Sequence, residues 1–153
     1  MKMVTNAIDF GYGNGKSSLA PVIQEEATGC GIAASAVLAG ISYADSKLLA
    51  NNLGIQASDK SLWSETTSVR GLLAALNISI SPDESAFESW EHLPKKALLA
   101  IKWRQINYQP FWHWVVFVRQ DKTSMVLDSK RSLKNNVRTD FGRIKPKWFI
   151  EVY

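Results

Sequence analysis

The sequence predicts an α+β domain in which N-terminal helices pack on an antiparallel β-sheet formed by the C-terminal half. Before residue 77 the chain has three segments rich in alanine or leucine, each followed by a glycine or asparagine that can end a helix. After residue 96 it has runs of β-branched and aromatic residues. With 153 residues, 46% of them hydrophobic, we expect a single domain spanning residues 1–153.

The three helices are predicted at residues 31–38, 44–52 and 65–76. The first is an alanine-rich run without proline, which is typical of a helix. The residues expected to end or follow the three helices are Gly40, Gly54 and Asn77. Helical structure is therefore expected to precede the first predicted strand of the sheet.

The strands are predicted from four apolar runs in the second half of the chain. These runs are "ALLAIKW", "FWHWVVFVR", "SMVLDS" and "KWFIEVY". The polar stretch "QDKT" separates the second run from the third and predicts a hairpin turn.

Cys30 is the only cysteine in the chain and stands at the start of the first predicted helix. Unpaired backbone N–H groups and the positive end of the helix dipole favour a thiolate there, so Cys30 is a candidate nucleophile. Taken alone, a cysteine beside alanines is more often a buried structural residue. A single cysteine excludes an internal disulfide and a zinc site built from several thiolates.

The chain has two histidines, so there are only two candidates for an imidazole base. His92, in the polar stretch "SWEHLPKK", is expected to lie in a loop. His113 lies in the apolar run "PFWHWVVFV", where a buried imidazole needs a polar partner. A satisfied core or interface histidine is the alternative to a catalytic one.

Asp128 is the predicted partner of His113. If the hairpin turn is centred on Gln120 and Asp121, His113 faces Asp128, and facing residues have Cβ atoms about 5 Å apart. A carboxylate there would hold an imidazole N–H and orient the ring for proton transfer. A register shift of one residue would place the two side chains on opposite faces of the sheet.

Gln24 precedes Cys30 by six positions and is a candidate oxyanion donor. A glutamine amide and the backbone N–H of a nucleophile can together supply two donors to the oxyanion formed in acyl transfer. Glu25 and Glu26, which lie between them, are expected to be solvated. The chain order of the candidate residues is thus Gln, Cys, His, Asp.

The segments "QEEATGCG", "HWVVF" and "VLDS" resemble the papain-like cysteine peptidases in the order and spacing of these residues. The chain is most similar to the bacteriocin-processing peptidases that cleave double-glycine leaders. They share the Gln-to-Cys-Gly segment, an "LP…ALLAI" run before the histidine and valines after it. The likeness covers residues 20–130, which would form the catalytic core.

The resemblance implies a papain-like fold and a role for each matched residue. Gln24 would be the oxyanion donor, Cys30 the nucleophile, His113 the general base and acid, and Asp128 the orienting residue. A peptide or protein substrate is implied, and no cofactor or metal.

The sequence also departs from that family. Members usually carry Asp-Pro where Ser129 follows Asp128 here, and Trp112 and Trp114 flank the histidine. Residues 137–153 have no counterpart in the resemblance, and no transporter domain accompanies the peptidase-like part. Deamidation, transglutamination and cleavage of peptidoglycan amides therefore stand beside proteolysis. A non-catalytic peptide-binding module is the alternative from another class.

The segment from 130 to 147 carries seven basic residues and one acidic residue, Asp140. The basic residues are Lys130, Arg131, Lys134, Arg138, Arg143, Lys145 and Lys147. No recognition-helix, zinc or aromatic RNA-binding pattern accompanies them, so we expect solvated loops and no nucleic-acid partner.

The N-terminal stretch "FGYGNGKSS" is not expected to bind nucleotide phosphates. It ends like a P-loop, but Phe10 stands where that motif requires glycine, and we expect a flexible loop. No apolar run has the length of a membrane span and no signal-peptide pattern is present. We expect a protein made in the cytoplasm, with delivery into another cell left open. The sequence does not predict its oligomeric state.

Overall fold

The computed structural model describes residues 8–9 and 18–153. Strands β1 (Ile8–Asp9) and β2 (Ser18–Leu19) pair in an antiparallel ladder. The predicted flexible loop "FGYGNGKSS" occupies positions 10–18, and its residues 10–17 lie outside the described residues.

Three α-helices follow, as the sequence predicts. They are α1 (Cys30–Ala39), α2 (Tyr43–Asn52) and α3 (Thr67–Ala75), with a 3₁₀ turn at Lys60–Trp63 between α2 and α3. Gly40 ends α1 in the left-handed conformation, with φ of 70°, and its N–H donates to the carbonyls of Ala36 and Val37. A glycine suits this position because it has no Cβ to oppose a positive φ.

The second half of the chain builds a six-stranded sheet in which every pair is antiparallel. Its strands are β3 (Ser85–Ala86), β4 (Lys96–Ile106), β5 (Gln109–Gln120), β6 (Thr123–Leu127), β7 (Val137–Arg138) and β8 (Pro146–Glu151). Their spatial order is β3-β8-β4-β5-β6-β7. The predicted α+β class is confirmed.

The turn of the β5–β6 hairpin lies one residue later than predicted, which shifts the residue facing each β5 position by two. Gln120 pairs with Thr123, so the turn lies at Asp121 and Lys122 rather than at Gln120 and Asp121. Asp121 has a φ of 55°, and aspartate tolerates the left-handed conformation better than glutamine does. A shift of two preserves the face of every side chain, whereas a shift of one would have reversed it.

Helix α1 is the central element between the sheet and the other helices. Most of its side chains are buried, and it contacts β5 on one side and α2 and α3 on the others. A helix apolar around most of its circumference requires such a position. The opposite face of the sheet is covered by partly buried aromatic residues, among them Trp90 and Phe141.

In the part of the chain that the structure describes, no single helix has the length and apolar character needed to cross a membrane. Helices α1 and α2 meet that criterion only together, and the chain bends by 112° between them.

Candidate active site

Cys30 is the first residue of α1, as predicted, and glycines flank it on both sides. A Cβ at Gly29 would overlap the hydroxyl of Tyr43, and one at Gly31 would lie 3.3 Å from Cδ1 of Trp114. The two glycines therefore let the head of α1 pack closely against α2 and β5. This packing fixes the position of the thiol.

The Cys30 side chain is fully buried but has polar neighbours. Its Sγ accepts a hydrogen bond from the backbone N–H of Trp114, with an N–S distance of 3.4 Å. The His113 side chain is close enough to the thiol for Cys30 to influence its pKa. Burial is expected if Cys30 has a structural role, whereas proximity to His113 is required if Cys30 is a nucleophile.

His113 and Asp128 are in direct contact. Nε2 of His113 lies 2.8 Å from Oδ1 of Asp128, which leaves Nδ1 as the ring nitrogen available to the thiol. Because β6 ends at Leu127, Asp128 stands just beyond the strand and meets His113 from outside the ladder. The predicted contact thus exists, although the register from which it was predicted is wrong.

The structure places His113 between two groups that stabilise its protonated form. Burial alone would lower the pKa of His113, but hydrogen bonds and charge attraction from Asp128 and Cys30 raise it to about 9. Its side chain is 13% exposed, so one edge of the ring reaches the surface.

Asp128 is fully buried and is held by three donors. Oδ1 accepts from His113 and from the backbone N–H of Lys130 at 3.1 Å, and Oδ2 accepts from Nη1 of Arg138 at 3.1 Å. Burial acts to raise the pKa of this carboxyl, but His113, the Lys130 N–H and Arg138 bring it below its ordinary value. The buried carboxylate therefore stays ionised at neutral pH.

Arg138 corrects the prediction that the whole basic segment 130–147 is solvated. Its side chain is only 14% exposed and bridges two carboxylates. Besides Asp128, it donates from Nε and Nη2 to the two oxygens of Asp140, at 3.0 and 2.8 Å. No sequence signal distinguished this arginine from its basic neighbours, because the contact depends on β7 pairing with β6.

Gln24 is buried, and its amide is engaged inward. Nε2 donates to the carbonyls of Glu26 and Ala27, both at 3.0 Å, and Oε1 accepts from the hydroxyl of Ser129 at 2.6 Å. The backbone N–H of Gln24 also donates to the carbonyl of Ser129. Since carbonyls can only accept, the amide nitrogen must face them, and both of its hydrogens are in use.

Glu26 corrects the prediction of two solvated glutamates. It accepts from the hydroxyl of Tyr43 at 2.5 Å and forms an ion pair with Lys47, so it ties the segment before Cys30 to α2. Burial acts to raise the pKa of Glu26, but hydrogen bonds from Lys47 and Tyr43 and the charge of Lys47 lower it overall. Glu25 is exposed, as predicted.

A cleft with a volume of about 550 Å³ opens beside His113. We call it the His113 cleft. One wall is the segment before the thiol, residues 24–27, and the other carries basic and aromatic side chains. These are Trp63, Lys102, Arg104, Trp112, Lys130 and Arg131. Its volume falls within the usual range of small-ligand sites.

Two other features of the described residues bear on chemistry. His92 is exposed in a turn, where its Nδ1 lies 2.7 Å from the hydroxyl of Ser89, as expected of a loop histidine. Among the residues that the structure describes, no three His, Cys, Asp or Glu side chains are grouped so that they could hold a metal ion.

Comparisons with known proteins find no significant relative of this chain. No protein-family model, no curated protein and no solved structure gives a significant match to it.

Proposed function

We propose that the protein is a cysteine-dependent hydrolase of amide bonds, with a papain-like arrangement of helix and sheet. Cys30 would be the nucleophile and His113 the general base and acid. The observation that carries this proposal is the position of His113. It is hydrogen-bonded to Asp128 at 2.8 Å, interacts electrostatically with Cys30, and lines a cleft.

The first half of the reaction forms an acyl-enzyme. His113 takes the thiol proton, and Sγ of Cys30 attacks the amide carbonyl carbon, moving one electron pair of the C=O bond onto oxygen. The backbone N–H at the head of α1 is a donor for this oxyanion, because the first N–H groups of a helix have no intrahelical acceptor. When the C–N bond breaks, the leaving amine takes the proton from His113.

The second half regenerates the thiol. Water attacks the thioester while His113 removes one of its protons, and the carboxylic acid leaves as the sulfur recovers a proton. Asp128 remains ionised throughout and holds the Nε2–H of His113, so that Nδ1 keeps facing Cys30.

Gln24 is the proposed second oxyanion donor, and its present bonds set a condition on that role. Both hydrogens of its amide nitrogen bind the carbonyls of Glu26 and Ala27. Donation to an oxyanion would therefore replace one of these two bonds. The stabilisation of the transition state would then be the difference in strength between a hydrogen bond to the charged oxyanion and one to a neutral carbonyl.

The proposal is tested by the rate of iodoacetamide alkylation of Cys30 as a function of pH. In the wild type, the thiolate paired with the His113 imidazolium should react rapidly below pH 7, and His113→Ala should lose that rate. An ordinary thiol instead gains reactivity near its pKa of about 8.5. Since Cys30 is buried, slow alkylation at every pH would indicate the structural thiol.

Turnover gives the second arm of the test. Candidate substrates are incubated with wild type and with Cys30→Ala, and their intact masses are measured. Proteolysis gives fragments, whereas deamidation exchanges an amide nitrogen for oxygen without breaking the chain. Equal product formation by the two proteins would exclude Cys30 as the nucleophile. Binding without any product in the wild type would indicate the peptide-binding alternative.

A further inference from the structure

The His113 cleft contains four cationic side chains without a carboxylate partner. They are Lys102, Arg104, Lys130 and Arg131. Among the described side chains, no carboxylate oxygen lies within 4.0 Å of any of their nitrogens. The acidic side of the cleft is partly neutralised, since Glu26 is paired with Lys47. The cleft therefore presents an excess of positive charge beside His113, the candidate base.

Two of these cations already have roles within the protein. The guanidinium of Arg104 lies over the rings of Trp63 and Phe111, 5.8 and 5.9 Å from their centroids, and donates to the carbonyl of Lys102. Arg131 donates to the carbonyl of Glu25 at 3.4 Å. The two lysines have no such acceptor among the described residues, so they are the pair available to a ligand.

Lys102 lies in a β-bulge beside the cleft and has an unfavourable backbone conformation. The β4–β5 pairing is regular up to Ile101 and His113, then shifts before it resumes at Arg104 and Phe111. Within this bulge Lys102 has a φ of 55°, a region that lysine rarely adopts. Bulges redirect side chains, and strained residues concentrate at functional sites.

Lys102 and Lys130 also lie close to each other. Burial lowers the pKa of Lys102, and the positive charge of Lys130 lowers it further. Asp128 attracts Lys102, but its carboxylate is already hydrogen-bonded to His113 and Arg138. Two neighbouring ammonium groups repel each other, and an anion bound between them would relieve that repulsion.

We propose that the Lys102–Lys130 pair is a specificity site for carboxylate groups, so that the substrate presents an acidic peptide segment to the His113 cleft. This inference rests on the proposed function, because it places the acidic residues beside the amide that Cys30 attacks. A compact pair of lysines fits one or two carboxylates. A nucleic-acid strand instead requires a continuous basic track with aromatic side chains free for stacking, and here Trp63 and Phe111 already face Arg104.

The test measures peptide binding to the Cys30→Ala protein by fluorescence anisotropy at an ionic strength of about 0.1 M, where charges more than about 10 Å apart are largely screened. The probe is a short fluorescein-labelled peptide of alternating glutamate and glycine, and its comparison carries glutamine in place of glutamate. The glutamate peptide should bind about tenfold more tightly, and K102Q/K130Q should remove that advantage. Because no turnover is needed, this result is independent of the thiol-reactivity test.

The matched control is K95Q/K122Q, which removes the same charge from exposed lysines outside the cleft. It should leave the affinity for the glutamate peptide within about twofold of the parent protein, since distant charges are screened. Equal binding of the two peptides, or equal loss in the two double variants, would overturn the proposal. Tighter binding of a labelled oligothymidine through the same two lysines would overturn it in favour of a nucleic-acid site.

Discussion

The two halves of the candidate site are held by different forces. The head of α1 owes its position to close packing, in which Gly29 and Gly31 leave room for Tyr43 and Trp114. The sheet side depends on a chain of charges that runs from His113 through Asp128 and Arg138 to Asp140. Substitutions on the packed side should therefore act mainly on stability, and substitutions on the charged side mainly on reactivity and its pH dependence.

The largest effect is expected on the charged side, from Asp128→Asn. Without the carboxylate, the imidazolium loses its strongest attraction, and turnover should fall about 100-fold. The pKa of His113 should drop below its value of about 9, which an NMR titration of the ring protons measures. Asp140→Asn is the matched control, because Asp140 is exposed and contacts Arg138 rather than His113. Equal effects of the two variants on turnover would contradict the view that Asp128 acts through its contact with His113.

The same titration predicts how stability depends on pH. The folded pKa of His113, about 9, lies above its ordinary value of 6.5. Its contribution to stability is therefore fully present below pH 6.5 and is lost as the pH rises through 9. Thermal unfolding midpoints should fall across this window in the wild type and fall less in His113→Gln. A midpoint that rises over the same interval would contradict the assigned sign.

On the packed side, Gly29→Ala should destabilise the fold by about 2 kcal/mol, since the new Cβ overlaps the hydroxyl of Tyr43. The matched control is Gly71→Ala in α3, where a Cβ would meet nothing within 4 Å. In that helix interior alanine should stabilise by about 0.5–1 kcal/mol. Urea unfolding measures both changes. Similar values for the two variants would mean that close packing does not fix the head of α1.

The smallest effect is expected where the two halves meet, at Ser129→Ala. The variant removes the hydroxyl that binds Oε1 of Gln24, which should cost about 1 kcal/mol of stability. If Gln24 acts on an oxyanion, turnover should fall several-fold while the alkylation rate of Cys30 is unchanged, because alkylation forms no oxyanion. A parallel fall in both rates would assign Ser129 a general structural role instead.

Local sequence patterns were sufficient for the helices and for the placement of Cys30. The glycine after α1 and the apolar strands are short-range signals, and they predicted the α+β class. The turn of the β5–β6 hairpin was misplaced because two overlapping dipeptides of "QDKT" can form it, and only the tolerance of Asp121 for positive φ selects one. The contact between His113 and Asp128 is nevertheless present, because a register shift of two residues keeps both side chains on the same face of the sheet.

The remaining contacts of the site depend on distant parts of the chain. Arg138 and Glu26 looked like solvated charges, and their partners become neighbours only when β7 pairs with β6 and α2 packs on α1. The position of Lys102 depends on a bulge that leaves no clear mark in the apolar run of β4. The replacement of the usual proline by Ser129 was visible in the sequence, but its bond to Gln24 was not.

The bond between Ser129 and Gln24 joins residues 105 positions apart, and the contact between Trp114 and Cys30 spans 84. Contacts of such long range form late in folding, because loop-closure entropy must be overcome before they contribute. During synthesis, Cys30 emerges long before His113, Asp128 and Arg138 exist. Under the proposed function, Cys30 would become reactive only when nearly the whole chain has been made and folded, so an incomplete chain would not act on its surroundings.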